Sequence, residues 1–359
     1  MAKLNEGDVM EGIFAICAAL IFAYGEIDKK KLNKIRKKIE PDMFTAGRFT
    51  KVITESSVDD TQDDFEVTLI VRLKARSVAG AFGKDSPHFK KGDDIGNIGK
   101  KIDTLISYSE KTFAPLVRIR NQFLTNNQTD TVEFEVLADG IEGEQSGGSV
   151  KGDVMISVKA NGRPISGKSH FAFSLKSGST TVANLSPYKG LIAMLDKFGL
   201  EYTDDEIYAL NLGEGGALEY ARSNNQRVLK EAMLTQMFNE FVDGLETNAG
   251  SGTKKFTEVC FDILREATFG DDFASVIDLD KTKVKFITPE AIDTLEQSAL
   301  GSRDYLRAKK SGVNKVLIYW GSPSPQNSLF SFRKKFRVTG SGGLELKLYV
   351  EAEKRAYAT

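Results

Sequence analysis

KGDVMISV, residues 151–158, and FAFSLKSG, residues 171–178, decide how this chain is read. Alternate side chains of a strand point to opposite faces, so Val154, Ile156 and Val158 share one face of the first run. Phe171, Phe173 and Leu175 share one face of the second. An antiparallel pairing with residue 153 against residue 176 sets Val154 against Leu175, Ile156 against Phe173 and Val158 against Phe171. Every one of these apolar side chains then faces one core, and a slip by one residue would turn a strand over. Asp153, Met155 and Ser157 are left on the opposite face with Ala172, Ser174 and Lys176, and Asp153 stands beside Lys176 at the open end of the hairpin.

On periodicity alone, a carboxylate beside a lysine at a sheet edge is an ordinary cross-strand ion pair, worth under about 1 kcal/mol when exposed. The order of residues says more. Lys151-x-Asp153, an apolar strand, a second apolar strand and then Ser174-x-Lys176-x-Gly178 resembles the core motif of the PD-(D/E)XK, or restriction-endonuclease-like, nuclease superfamily. The likeness is confined to residues 151–178, so it identifies a core and not a particular enzyme. It implies that Asp153 and the backbone carbonyl of Leu175 hold a divalent metal, and that Lys176 orients the attacking water or stabilises developing charge. Ser174 stands where the motif's second acid is usually found. A hydroxyl is no substitute for a carboxylate as a strong ligand, so another acid must contribute.

In restriction-type members that acid is often a Glu on a helix preceding the core strands. Glu11 is the favoured candidate here, with Glu6 and Glu110 as alternates. The plainer reading is that Glu6, Asp8 and Glu11 complement the positive end of a helix dipole. The implied cofactor is Mg²⁺ (or Mn²⁺). Such an ion takes a few carboxylates and keeps several waters, and it neutralises charge on the phosphorus during hydrolysis.

Outward from the hairpin, residues 9–24 have the apolar pattern of a helix, ended by Gly25. The apolar run IFAICAALIFAY, residues 13–24, is shorter than the roughly 20 residues that span a bilayer. The acids before it argue against a signal peptide. It reads as a buried helix of a cytoplasmic protein with no membrane association. Only two cysteines are present, Cys17 and Cys260, both in apolar helical patterns, and only two histidines. That gives no disulfide framework and argues against a classical zinc site.

Strands are expected near residues 48–55, 64–74, 132–137, 282–287, 315–320, 329–338 and 344–351, and a long helix over about 98–123. The expected class is α/β (α+β): a central mixed β-sheet flanked by helices, a restriction-endonuclease-like core with a helical insertion or second lobe. The expected division is a nuclease-like core over 1–186, a mainly helical region over 187–310 without recognisable chemistry, and C-terminal strands over 311–359 that return to the core.

Lys+Arg at 49 nearly balance Asp+Glu at 50, so any basic surface must be local. The densest cluster is Lys29, Lys30, Lys31, Lys34, Arg36, Lys37 and Lys38. Charge runs are usually a solvated helix face, but no acid interrupts these seven, which favours contact with phosphates. A second cluster is FRKKFR, residues 332–337, where Arg333, Lys334, Lys335 and Arg337 alternate with Phe332 and Phe336 to give a partly apolar and a cationic face.

The sequence thus predicts a Mg²⁺-dependent endonuclease acting on DNA, with Asp153 and Glu11 on the metal, Lys176 on the water and Ser174 behind them. A homo-oligomer would let such an enzyme reach both strands. The rival is a catalytically inactive nuclease-fold protein with a DNA-binding or assembly role, supported by Ser174 in place of the acid. A structural particle component is a third reading, for which no residue pattern selects.

Overall fold

The computed structural model describes residues 14, 66–73, 131–138, 154–160, 163–164, 170–176, 181–185, 187–202, 224–269, 275–280, 283–338 and 344–357. In chain order the elements are β1 (Glu66–Leu73), β2 (Thr131–Ala138), β3 (Val154–Ala160), β4 (Arg163–Pro164), β5 (His170–Lys176) and β6 (Thr181–Leu185). Helices α1 (Pro187–Phe198), α2 (Asn224–Thr247) and α3 (Lys254–Phe269) follow. Then come β7 (Ser275–Asp280), β8 (Lys283–Ile287), α4 (Pro289–Ser302), β9 (Arg307–Lys310), β10 (Lys315–Tyr319), β11 (Ser328–Val338), β12 (Leu344–Ala352) and a 3₁₀ turn, Lys354–Ala356. The class is mixed α/β, and the chain divides into two units: Met1–Ser179 with Gly270–Phe286, and Thr180–Phe269 with Ile287–Thr359.

The first unit holds a seven-stranded mixed sheet in the order β1-β2-β3-β5-β7-β8, with β4 paired to β3. β1 and β2 are parallel, β2, β3 and β5 are successively antiparallel, and β7 lies parallel to β5. The expected hairpin is present, but its register differs by two residues. Val154 pairs with Phe173, Met155 with Ala172 and Ile156 with Phe171, where the sequence reading set Val154 against Leu175. A two-residue shift keeps every side chain on its face, so the apolar and polar faces stand as expected. Phe14 is helical and fully buried, with its ring 5.2 Å from that of Phe173. It lies on the Val154 face, away from Ser174 and Lys176.

The second unit is a five-stranded antiparallel sheet, β6-β12-β11-β10-β9, covered by helices. α2 buries Leu234, Met237, Phe238, Phe241, Val242 and Leu245, the three-and-four spacing of one helical stripe. The core is aromatic. The Phe332 ring of β11 meets Phe241 at 5.4 Å and Phe198 at 6.3 Å, and Phe198 meets Phe256 at 5.3 Å. Gly190 lets α1 fold directly back onto β6, because a Cβ there would collide with that of Leu185. α4 starts at Thr288, whose hydroxyl accepts from the Ala291 amide, followed by Pro289. Arg265 of α3 ties α4 down through Asp293 at 3.0 Å and through Glu296. The thiol of Cys260 is sealed in this core at 0% exposure, and burial pushes its pKa well up.

Two parts of the expected division change. Strands β10–β12 belong to the second sheet with β6 and β9, not to the sheet of the β3–β5 hairpin. The region 187–310, expected to be mainly helical with a strand at 282–287, holds that strand as β8 and β7 besides, and both join the hairpin's own sheet. The expected strand at 48–55 and the helix at 98–123 lie outside the described residues. No helix among the described residues is long and apolar enough to cross a membrane.

Candidate active site and cation clusters

β5 places Ser174 and Lys176 on one face and Leu175 on the other, as strand alternation requires. Ser174 is buried, at 3% exposure, while Leu175 and Lys176 are half-buried. The parallel register with β7 sets Ser174 beside Val276 and Lys176 beside Asp278. Asp278 is 1% exposed, and its carboxylate lies 4.0 Å from the ammonium of Lys285 on β8. The end of β5 therefore has a buried carboxylate in register with Lys176 and a second lysine beyond it.

Asp278 was missed in the sequence. SVIDLD, residues 275–280, alternates Ile277 and Leu279 with Val276, Asp278 and Asp280. The period of two was there to find, but two acids in six residues weaken a strand signal. Asp153 and Glu11 lie outside the described residues, as do the alternates Glu6 and Glu110 and the whole cluster Lys29, Lys30, Lys31, Lys34, Arg36, Lys37 and Lys38. Among the described residues no group of three or more His, Cys, Asp or Glu is placed to hold a metal. The donors on this face, the Asp278 carboxylate and the Ser174 hydroxyl, are hard oxygens, which fit Mg²⁺ or Mn²⁺ and not a thiophilic ion.

The second cation cluster splits by parity. Lys334 pairs with Leu348 and sits on the face of Phe330, Phe332 and Phe336. It is 4% exposed, its ammonium 5.4 Å from the Phe238 ring and 5.5 Å from that of Phe336. Desolvation lowers its pKa, with the charge of Glu231 opposing and that of Lys310 adding to the effect. A lysine buried among rings does not reach a phosphate, so Lys334 leaves the set of expected nucleic-acid contacts. Arg333, Lys335 and Arg337 occupy register positions on the opposite face. Arg333 bonds Glu351 at 2.5 Å, and its guanidinium lies 5.7 Å from the Tyr349 ring centre. Lys335 is exposed.

Comparison with protein-family models, with curated proteins and with solved structures finds no match in any of the three.

Proposed function

We propose that the chain is a divalent-metal-dependent endonuclease acting on DNA, its core built on the restriction-endonuclease-like plan. The observation that carries this is the end of β5. Lys176 and Ser174 share a face next to β3, which opens immediately after Asp153, and Asp278 stands in register with Lys176. A second acid is what the motif lacked, and Asp278 supports the reading by adding one that is dry and on the right face.

In this reading Asp153, Glu11, the Leu175 carbonyl and Asp278 would hold Mg²⁺ or Mn²⁺. The ion, when bound, supplies charge neutralisation at the phosphorus and a more acidic water. Lys176, at the half-buried end of its strand, directs a cation at the developing negative charge, where low solvent access strengthens it. Ser174 donates or accepts a hydrogen bond behind these groups. Arg333, Lys335 and the residue 29–38 cations are the candidate contacts to phosphates.

The burial of Ser174 where an acid is usual favours the second reading, a nuclease fold kept for DNA binding or assembly without cleavage. Mg²⁺- and Mn²⁺-dependent cleavage of supercoiled, linear and single-stranded DNA separates the two. Cleavage by wild type that Asp153→Ala and Lys176→Ala abolish supports the endonuclease. DNA binding with no cleavage on any of these substrates supports the inactive fold.

A further inference from the structure

The cationic face of the five-stranded sheet carries a pairing that the fold does not explain. The β11–β12 register sets Lys335 directly opposite Lys347, and Arg333 opposite Tyr349 on the next rung. Lys315 of β10 stands opposite Arg333. Two of these four cations are neutralised in place. Glu351, 5% exposed, bonds Arg333 at 2.5 Å and Lys315 at 3.4 Å, and Glu353 takes Lys315 at 2.6 Å. Lys335 and Lys347 form no ion pair among the described residues, although Lys335 is exposed and Lys347 half-buried. Like charges directly opposite each other across an antiparallel pair destabilise it. The sheet would be better served by an acid at either position, so the lysine pair answers to something outside the fold.

We propose that the outer face of β11 and β12 is a docking surface for the phosphate backbone of duplex DNA, with Lys335 and Lys347 as its two contact cations. Charge complementarity selects an anionic polymer. The guanidinium of Arg333 lies against the Tyr349 ring and occupies a face on which a single-stranded base would stack, which favours the duplex. Contacts of this kind position DNA without reading its sequence. The proposal rests on the reading that this chain meets DNA, but not on its cleaving it.

The test is binding of the full chain to labelled duplex and single-stranded DNA by fluorescence anisotropy across a range of KCl concentrations. Each lost phosphate contact should lower the slope of log affinity against log salt by about 1. The double variant Lys335→Gln, Lys347→Gln should therefore lose about 2 in slope on duplex. Lys255→Gln, an exposed lysine on the first turn of α3, should leave the slope as it is. Lys335→Glu replaces a like-charge pair with an opposite-charge one, so it should bind duplex more weakly while melting no lower than wild type. That outcome separates loss of binding from loss of folding.

Equal slopes for wild type and the double variant, or an equal loss in Lys255→Gln, would overturn the surface. Cleavage that still depends on Asp153 and Lys176 would in that case leave the endonuclease standing. A preference for single strands that the double variant does not alter would overturn it too, as would competition by polyglutamate as effective as that by DNA. No binding of any DNA would remove both readings. Slope loss in a chain that never cleaves would keep the surface and remove the catalysis.

Discussion

Among the described residues, Asp278 in the first unit's sheet and Glu351 in the second's are buried carboxylates with cations beside them, in different settings. In the second unit Glu351 is clasped by Arg333 and Lys315 at 2.5 and 3.4 Å. In the first, Asp278 lies 4.0 Å from Lys285 and stands in register with Lys176. A carboxylate gripped at contact distance by two cations has its charge committed to holding strands together. Asp278 stands in register with Lys176, and it is the acid that the proposed site would use. Burial of an acid alone does not separate structure from chemistry; its register position beside Lys176 is what singles Asp278 out.

The strongest way to break the comparison is Asp278→Asn. If Asp278 belongs to the site, metal-dependent cleavage should fall by about 100-fold or more while the chain remains folded by circular dichroism. A variant that keeps full activity but unfolds in less denaturant would place Asp278 with Glu351 as a structural residue.

Glu351→Gln should do the reverse. It leaves Lys315 and Arg333 without their shared anion, and because both are partly exposed the cost is about 2 kcal/mol. A lowered urea midpoint with an unchanged denaturant slope checks this.

The smallest effect sharpens the comparison from the cation's side. Lys334 is buried, with no carboxylate at contact distance among the described residues, and desolvation depresses its pKa. For a base with a lowered folded pKa, the folded state sheds its proton first. Wild-type stability therefore carries a penalty at neutral pH that is relieved as pH rises through the folded pKa toward the ordinary lysine value. Lys334→Met removes the penalty, so its stability advantage should be greatest near neutral pH and narrow in alkali. An advantage independent of pH would show that the ammonium is not the cause.

Much of this was legible in the sequence. The hairpin, its two faces, the strands at 132–137, 315–320, 329–338 and 344–351 and the helical, buried state of Phe14 all follow from apolar periodicity. What was not legible has physical reasons. Alternation has a period of two, so it fixes which face Val154 and Phe173 take but is blind to a two-residue slide, and the hairpin register slid by that amount. FRKKFR looks like a block of charge until parity is applied, and parity puts Lys334 with Phe332 and Phe336. β7 was hidden by its own acids, among them Asp278. Which sheet a strand joins depends on contacts distant in sequence, and no local pattern announced that β12 would pair with β6 and bring β11 into that sheet.

Cys260 has a consequence in time. The thiolate is the reactive form of cysteine, and burial in α3 keeps this thiol protonated and out of reach. Its chemistry must wait for the aromatic core around Phe256 and Phe261 to part. The rate at which Cys260 is modified is then bounded by how often the second unit opens, which makes this one sulfur atom a clock for the breathing of the fold.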